Sequence, residues 1–240
     1  MRRTLRTVPS ASRPSACLAA QKRYSVAMSF SFPKIYPILD SKWIPQENRA
    51  GFLDRLGRSL ADAGVALLEY RNKPGTEAEI LADAAILRRA LPVGQVKLML
   101  DDRAEWVERV GFDGAHVDAG DLSPAEARKV LGPERILGTF GGSTEFLPGI
   151  LDAPVDYLAV GPVFTTTTKH TDKPPIGIEG VRRMRALAGP DRVLSCAAGV
   201  TLATAPEVLA AGGSMVVVSQ AIFGAEDPAA EFRRWLAALS

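Results

Sequence analysis

From Lys34 onward, short apolar runs alternate with stretches whose apolar residues recur at helical spacing. Lys34–Asp40 (KIYPILD) predicts a strand, and Arg49–Ala63 a helix with Phe52, Leu53, Leu56 and Leu60 on one face, ended by Gly64. The couplet repeats as strand Val65–Arg71 and helix Glu77–Leu91, with Thr76 as its N-cap. It repeats again as Val96–Asp101 and Arg103–Val110. Gly114–Asp118 precedes a helix opened by Ser123-Pro124-Ala125-Glu126, a capping box with proline at the first position. Arg135–Thr139 predicts a fifth strand, trailed by a weak helical stretch near Thr144–Leu151. Asp156–Val160 with Ile178–Leu187, Arg192–Ala197 with Thr201–Ala211, and Ser214–Ser219 with Pro228–Leu239 complete the series.

Eight strand-then-helix units in about 200 residues predict an α/β chain folded as one closed (β/α)8 TIM barrel. An open doubly wound sheet would place a Gly-x-Gly-x-x-Gly turn after an early strand, and the sequence has none. The barrel domain is expected over 34–240. Residues 1–33 are rich in Arg, Ser and Ala, lack Asp and Glu, and carry no sustained period, so they read as a disordered extension. That composition suits an organelle transit peptide, and equally a start placed upstream of a true beginning at Met28. We read a cytoplasmic protein whose extension has no catalytic part.

At 240 residues, with 47% hydrophobic and 23% charged content, the chain can bury a sizeable core. A formal charge of +2 gives no footprint for nucleic acid. No run approaches the roughly 18 apolar residues of a membrane span. Cys17 and Cys196 are far apart and offer neither a disulfide framework nor metal-knuckle spacing.

In such a barrel, chemistry sits at the carboxyl ends of the strands. The second strand ends in Glu69-Tyr70-Arg71-Asn72-Lys73, where alternation puts Glu69, Arg71 and Lys73 on one side. The third ends in Asp101-Asp102, and the fourth leads into Asp118-Ala119-Gly120-Asp121. The sixth runs into Gly161-Pro-Val-Phe-Thr-Thr-Thr-Thr-Lys169, a loop of hydroxyls and one ammonium that suits phosphate oxygens. Asp102 and Asp121, from neighbouring strands, could hold Mg²⁺ with phosphate and water completing its shell. Arg71, Lys73 and Lys169 would then grip the same diphosphate. A second anion site is expected at the ends of strands seven and eight, around Gly199, Thr201, Ser219 and Gln220. No nucleophile is evident. Cys196 and His116 read as packed strand residues.

These residues resemble the thiamine-phosphate synthases, of the superfamily shared with the thiazole tautomerases. The likeness runs through Arg71-x-Lys73, the Asp102 step, His116 to Asp121, the Gly161–Lys169 loop, Gly199-Val-Thr and Val218-Ser219. It implies joining of a hydroxymethylpyrimidine diphosphate to a thiazole phosphate with release of pyrophosphate. It also implies Mg²⁺ on Asp102 and Asp121, the diphosphate on Arg71, Lys73 and Lys169, and the thiazole phosphate near Thr166, Thr168, Gly199, Val218 and Ser219. Glu69 and Asp101 stand at the pyrimidine, where the family usually carries Gln and Asn. A carboxylate only accepts where an amide also donates, so Glu69 must be protonated or the bonds to the ring must differ. After strand five, Phe140 replaces a small hydroxyl, with Thr139 or Ser143 as substitutes. Phosphorylated small molecules are the expected partners, with a homo-oligomer as a further option. The rival readings are a tautomerase-like isomerase, which would not need Arg71, Lys73, Asp102 and Asp121 together, and a non-catalytic barrel that binds thiazole phosphate.

Overall fold

A computed structural model of the chain describes residues 30–142, 147–166 and 174–240. Its strands are β1 (Ile35–Asp40), β2 (Leu67–Arg71), β3 (Lys97–Asp101), β4 (Gly114–Val117), β5 (Ile136–Gly142), β6 (Tyr157–Val160), β7 (Val193–Cys196) and β8 (Met215–Val218). They pair in sequence order, all parallel, and β1 closes on β8 to make the expected barrel. Around it among the described residues lie α1 (Arg49–Asp62), α2 (Glu77–Ala90), α3 (Val107–Val110), α4 (Pro124–Leu131) and α5 (Leu147–Ile150). They continue with α6 (Gly177–Ala188), α7 (Ala205–Ala210), α8 (Gln220–Phe223) and α9 (Pro228–Leu239). No helix among them is long and apolar enough to cross a membrane.

Strand alternation divides the core into two layers. Outward residues such as Leu68, Leu98, Leu100, Leu158, Val160 and Val216 pack against the apolar stripes of the helices, among them Leu53, Leu60, Leu87, Phe232 and Trp235. Inward residues Tyr36, Leu67, Met99, Tyr157 and Met215 fill the barrel, with Phe30 and Phe32 packed against them. Ordered packing therefore reaches Phe30, four residues ahead of the expected boundary at Lys34. Two aromatic rings find apolar cover at the amino end of the barrel, with the Phe32 ring edge-on to Tyr157 at 5.8 Å.

The capping boxes at Thr76/Glu79 and Ser123/Glu126 both form, each with reciprocal bonds between side chain and backbone. Several expected boundaries move, most of all at three elements. The helix over Arg103–Val110 splits into a 3-10 turn at Ala104–Trp106 followed by α3. The expected helix from Thr201 starts only at Ala205, because the Thr201 and Thr204 hydroxyls bond the turn's own backbone. β5 continues past Thr139 to Gly142, with a register shift against β6 between Phe140 and Gly142. Within β5, Gly138 makes room for a ring: a Cβ there would lie 1.9 Å from Tyr157 Cζ.

Candidate active site

A cavity of about 470 Å³ occupies the carboxyl-end half of the barrel. One side is charged and polar, lined by Glu69, Arg71, Lys73, Asp101, His116 and Asp118. The other is largely apolar, with Phe140, Ala159, Pro162, Ala197 and Val217, and Thr166 stands among the lining residues.

The charged side is built from consecutive strand ends. β2 sends Arg71 inward and Lys73 follows on the same side. Arg71 Nη1 donates to Asp40 Oδ2 at the end of β1, and its Nε lies 3.4 Å from Asp101 Oδ2 at the end of β3. Lys73 Nζ lies 3.5 Å from the same Asp101 oxygen and 2.5 Å from Asp102 Oδ2. Burial works against the lysine's charge, but the bond to Asp102 and the Asp101 carboxylate outweigh it and raise its pKa. Burial, then the neighbouring Asp102 charge, pushes Asp101 up to about 7.

Beneath these ions runs a chain of polar groups. Tyr36 Oη donates to Glu69 Oε2 at 2.6 Å and lies 3.0 Å from Tyr157 Oη, which is 3.1 Å from His116 Nδ1. The His116 and Tyr157 rings stack at 5.7 Å. Glu69 is 2% exposed, and no Lys or Arg forms a salt bridge with it among the described residues. Burial first, and the Asp101 charge second, raise its pKa to about 8, so near neutral pH it is mainly a neutral acid. A protonated carboxyl has an O–H to donate and an oxygen to accept, as an amide does.

The metal expectation can be tested against the same geometry. Asp102 follows β3 with a positive φ of 68°. Its Oδ1 is buried without a hydrogen-bond partner among the described residues, while its Oδ2 carries Lys73. Asp121 bonds the Asp118 amide at 2.8 Å. Burial raises the Asp121 pKa, and the neighbouring Asp102 carboxyl adds to the rise although the bond from the Asp118 amide opposes it. An unpartnered oxygen beside a second carboxyl fits a divalent cation. Among the described residues no group of three or more His, Cys, Asp or Glu side chains is placed to hold a metal; a cation held by Asp102 and Asp121 would take its other ligands from water and phosphate.

The remaining candidates divide by strand parity. Glu69, Arg71, Lys73, Asp101, Phe140 and Thr166 line the cavity, and Asp102 and Asp121 stand at its rim against Lys73. Thr139 is a correction: it points away from the lumen and its hydroxyl donates to the Val117 carbonyl at 2.9 Å. The Val218 side chain belongs to the layer under the helices, while Val217 lines the cavity. The Ser219 hydroxyl accepts from Trp43 Nε1 at 3.2 Å. Gly199, at φ 69°, lets the loop after β6 pass close, since a Cβ would sit 2.5 Å from Thr165 O. Thr168 and Lys169 lie outside the described residues, as does Ser143.

Sequence reading passed over Asp40, Tyr36 and Tyr157. The strand-end rule applied to β1 would have found Asp40, and alternation back from it would have found Tyr36. His116, read as a packed residue, also borders the cavity.

Residues 35–222 match the family model described as thiamine monophosphate synthase. A relative from Koribacter versatilis, named thiamine-phosphate synthase, is 38% identical over 208 residues, spanning 86% of this chain and 97% of that one. Another of the same name, from Agrobacterium fabrum, is 35% identical over 176 residues, covering 72% and 80% of the two chains. The solved thiamine phosphate pyrophosphorylase from Pyrococcus furiosus superposes with a TM-score of 0.73 at 24% identity, over 86% of this chain and 95% of that one. That last likeness speaks for the fold alone.

Proposed function

The chain belongs to the thiamine monophosphate synthase family, and from that premise we propose that it joins hydroxymethylpyrimidine diphosphate to thiazole phosphate. It is thereby an alkyl transferase of thiamine biosynthesis. The carbon–oxygen bond to the diphosphate breaks, pyrophosphate leaves with the bonding electrons, and the thiazole nitrogen takes the vacated carbon. No protein nucleophile is needed, only positioning and charge stabilisation.

The observation that carries this reading is the convergence of Arg71, Lys73, Asp102 and Asp121 from neighbouring strand ends onto one rim of the cavity. Arg71 and Lys73 take the charge of the departing diphosphate, and Lys169 is assigned the same task from its sequence position. Asp102 and Asp121 would hold Mg²⁺, which when bound offsets diphosphate charge that these carboxylates would otherwise repel. Glu69, Asp101 and Phe140 take the pyrimidine, with Glu69 donating as a neutral acid. The thiazole phosphate is assigned to Thr166, Thr168 and the backbone around Gly199, Val218 and Ser219, at the strand-seven and strand-eight end where barrels often bind phosphate.

The test is a two-substrate assay with and without Mg²⁺. Thiamine phosphate and pyrophosphate should appear in equal amounts, and chelation of the metal should stop both. Binding of thiazole phosphate without any product would instead favour the non-catalytic barrel.

A further inference from the structure

Tyr70 and Asn72 alternate with Glu69, Arg71 and Lys73, and so face the helices rather than the lumen. That outer layer is otherwise mostly apolar, yet here it holds a chain of polar groups. Tyr70 Oη donates to Asp83 Oδ2 of α2 at 2.5 Å, and Asn72 Nδ2 donates to Tyr70 Oη at 3.1 Å. Asp83, 3% exposed, also takes the Arg49 guanidinium at the start of α1, with Nε at 2.9 Å and Nη2 at 2.5 Å. The Asn72 amide fills the bend that follows β2: a Cβ on Gly75 would fall 2.3 Å from Asn72 Nδ2.

A buried ion pair is weak evidence for stability, because desolvation offsets most of its Coulomb gain. What this one does achieve is local. It clamps a hydroxyl, the hydroxyl fixes the Asn72 amide, and the chain bends around that amide through Lys73 and Pro74. The Lys73 side chain is 40% exposed and long, so its placement depends on where its backbone starts.

We infer that Arg49, Asp83, Tyr70 and Asn72 form a positioning chain on the outside of the barrel that sets Lys73 for the diphosphate. The inference rests on the reading of Lys73 as a diphosphate ligand. Tyr70→Phe keeps the ring and removes the hydroxyl that joins Asp83 to Asn72. Asn72→Ala leaves the Arg49–Asp83–Tyr70 part intact.

Steady-state kinetics on purified full-length protein test it, with Lys73→Ala alongside. Both variants should raise the KM for the pyrimidine diphosphate and the inhibition constant of pyrophosphate together, by about five- to tenfold. The KM for thiazole phosphate should stay within about twofold of wild type. On a Lys73→Ala background neither change should add to the loss, as expected of groups acting through one side chain. If Lys73→Ala leaves both diphosphate constants unmoved, the ligand reading and the inference fall together. If Lys73→Ala raises them and the outer variants do not, the inference falls and the ligand reading stands. Equal shifts for both substrates, with a lowered Tm, would mark a merely structural network and overturn it. Should Tyr70→Phe not fold, Asn72→Ala decides.

Discussion

Glu69 is almost wholly buried, and its one side-chain hydrogen bond among the described residues comes from a neutral hydroxyl. Its folded pKa of about 8 lies above the ordinary 4.5, so ionising it opposes the fold. Its contribution to stability is complete below the ordinary value and is lost as pH rises towards and through about 8. Thermal unfolding of wild type and Glu69→Gln between pH 5 and pH 9 should therefore diverge. Wild type loses Tm as pH rises, while the variant is flatter and gains on it most at the alkaline end. Under the proposed reaction, affinity for the pyrimidine diphosphate should decline over the same alkaline range in wild type only. Asp102 and Asp121 carry a second prediction at this scale. Asp102→Ala and Asp121→Ala should each lower turnover at saturating substrate and raise the Mg²⁺ concentration giving half-maximal rate. Full activity at unchanged Mg²⁺ in both would end the metal assignment.

Among the elements, α2 connects sequence to site most directly, since its capping box follows the bend that carries Lys73. Thr76→Ala removes the side-chain cap and should cost about 1 kcal/mol in denaturant unfolding at unchanged m-value. Elements of this sort were legible in the chain, because apolar periods and cap residues are local signals. Which side chain enters the lumen was legible only where the strand end was assigned correctly. β2 and β3 end where alternation predicts, and Arg71, Lys73 and Asp101 fall inside. In β5, ending the strand at Thr139 hid the fact that it runs on to Gly142, so Thr139 seemed available at a strand end when alternation turns it outward. By the same parity the Val218 side chain faces the helices. Tyr36 was within reach of alternation, but its link through Tyr157 to His116 was beyond local reading. It depends on Tyr157 lying against Gly138 of a neighbouring strand, a contact that no period within either segment encodes.

Across the whole molecule, the two ends of the barrel do different work. Charge and the cavity gather at the carboxyl end, while Phe30 and Phe32 cover the amino end. Phe32→Ala should lower stability by about 1–3 kcal/mol, below the range for a fully buried ring because Phe32 is only partly covered. Its kcat should stay near wild type, and chemical denaturation beside steady-state kinetics would check both halves of that expectation. The carboxyl end has a different economy of charge. Asp40, Asp101 and Asp102 already occupy Arg71 and Lys73 in the free protein. Under the proposed reaction, a diphosphate would have to evict these internal tenants to be gripped, and the carboxylates would reoccupy both cations once pyrophosphate loosens. On that reading tight capture gives way to clean departure: the resting protein would itself be the rival that clears its own leaving group from the mouth.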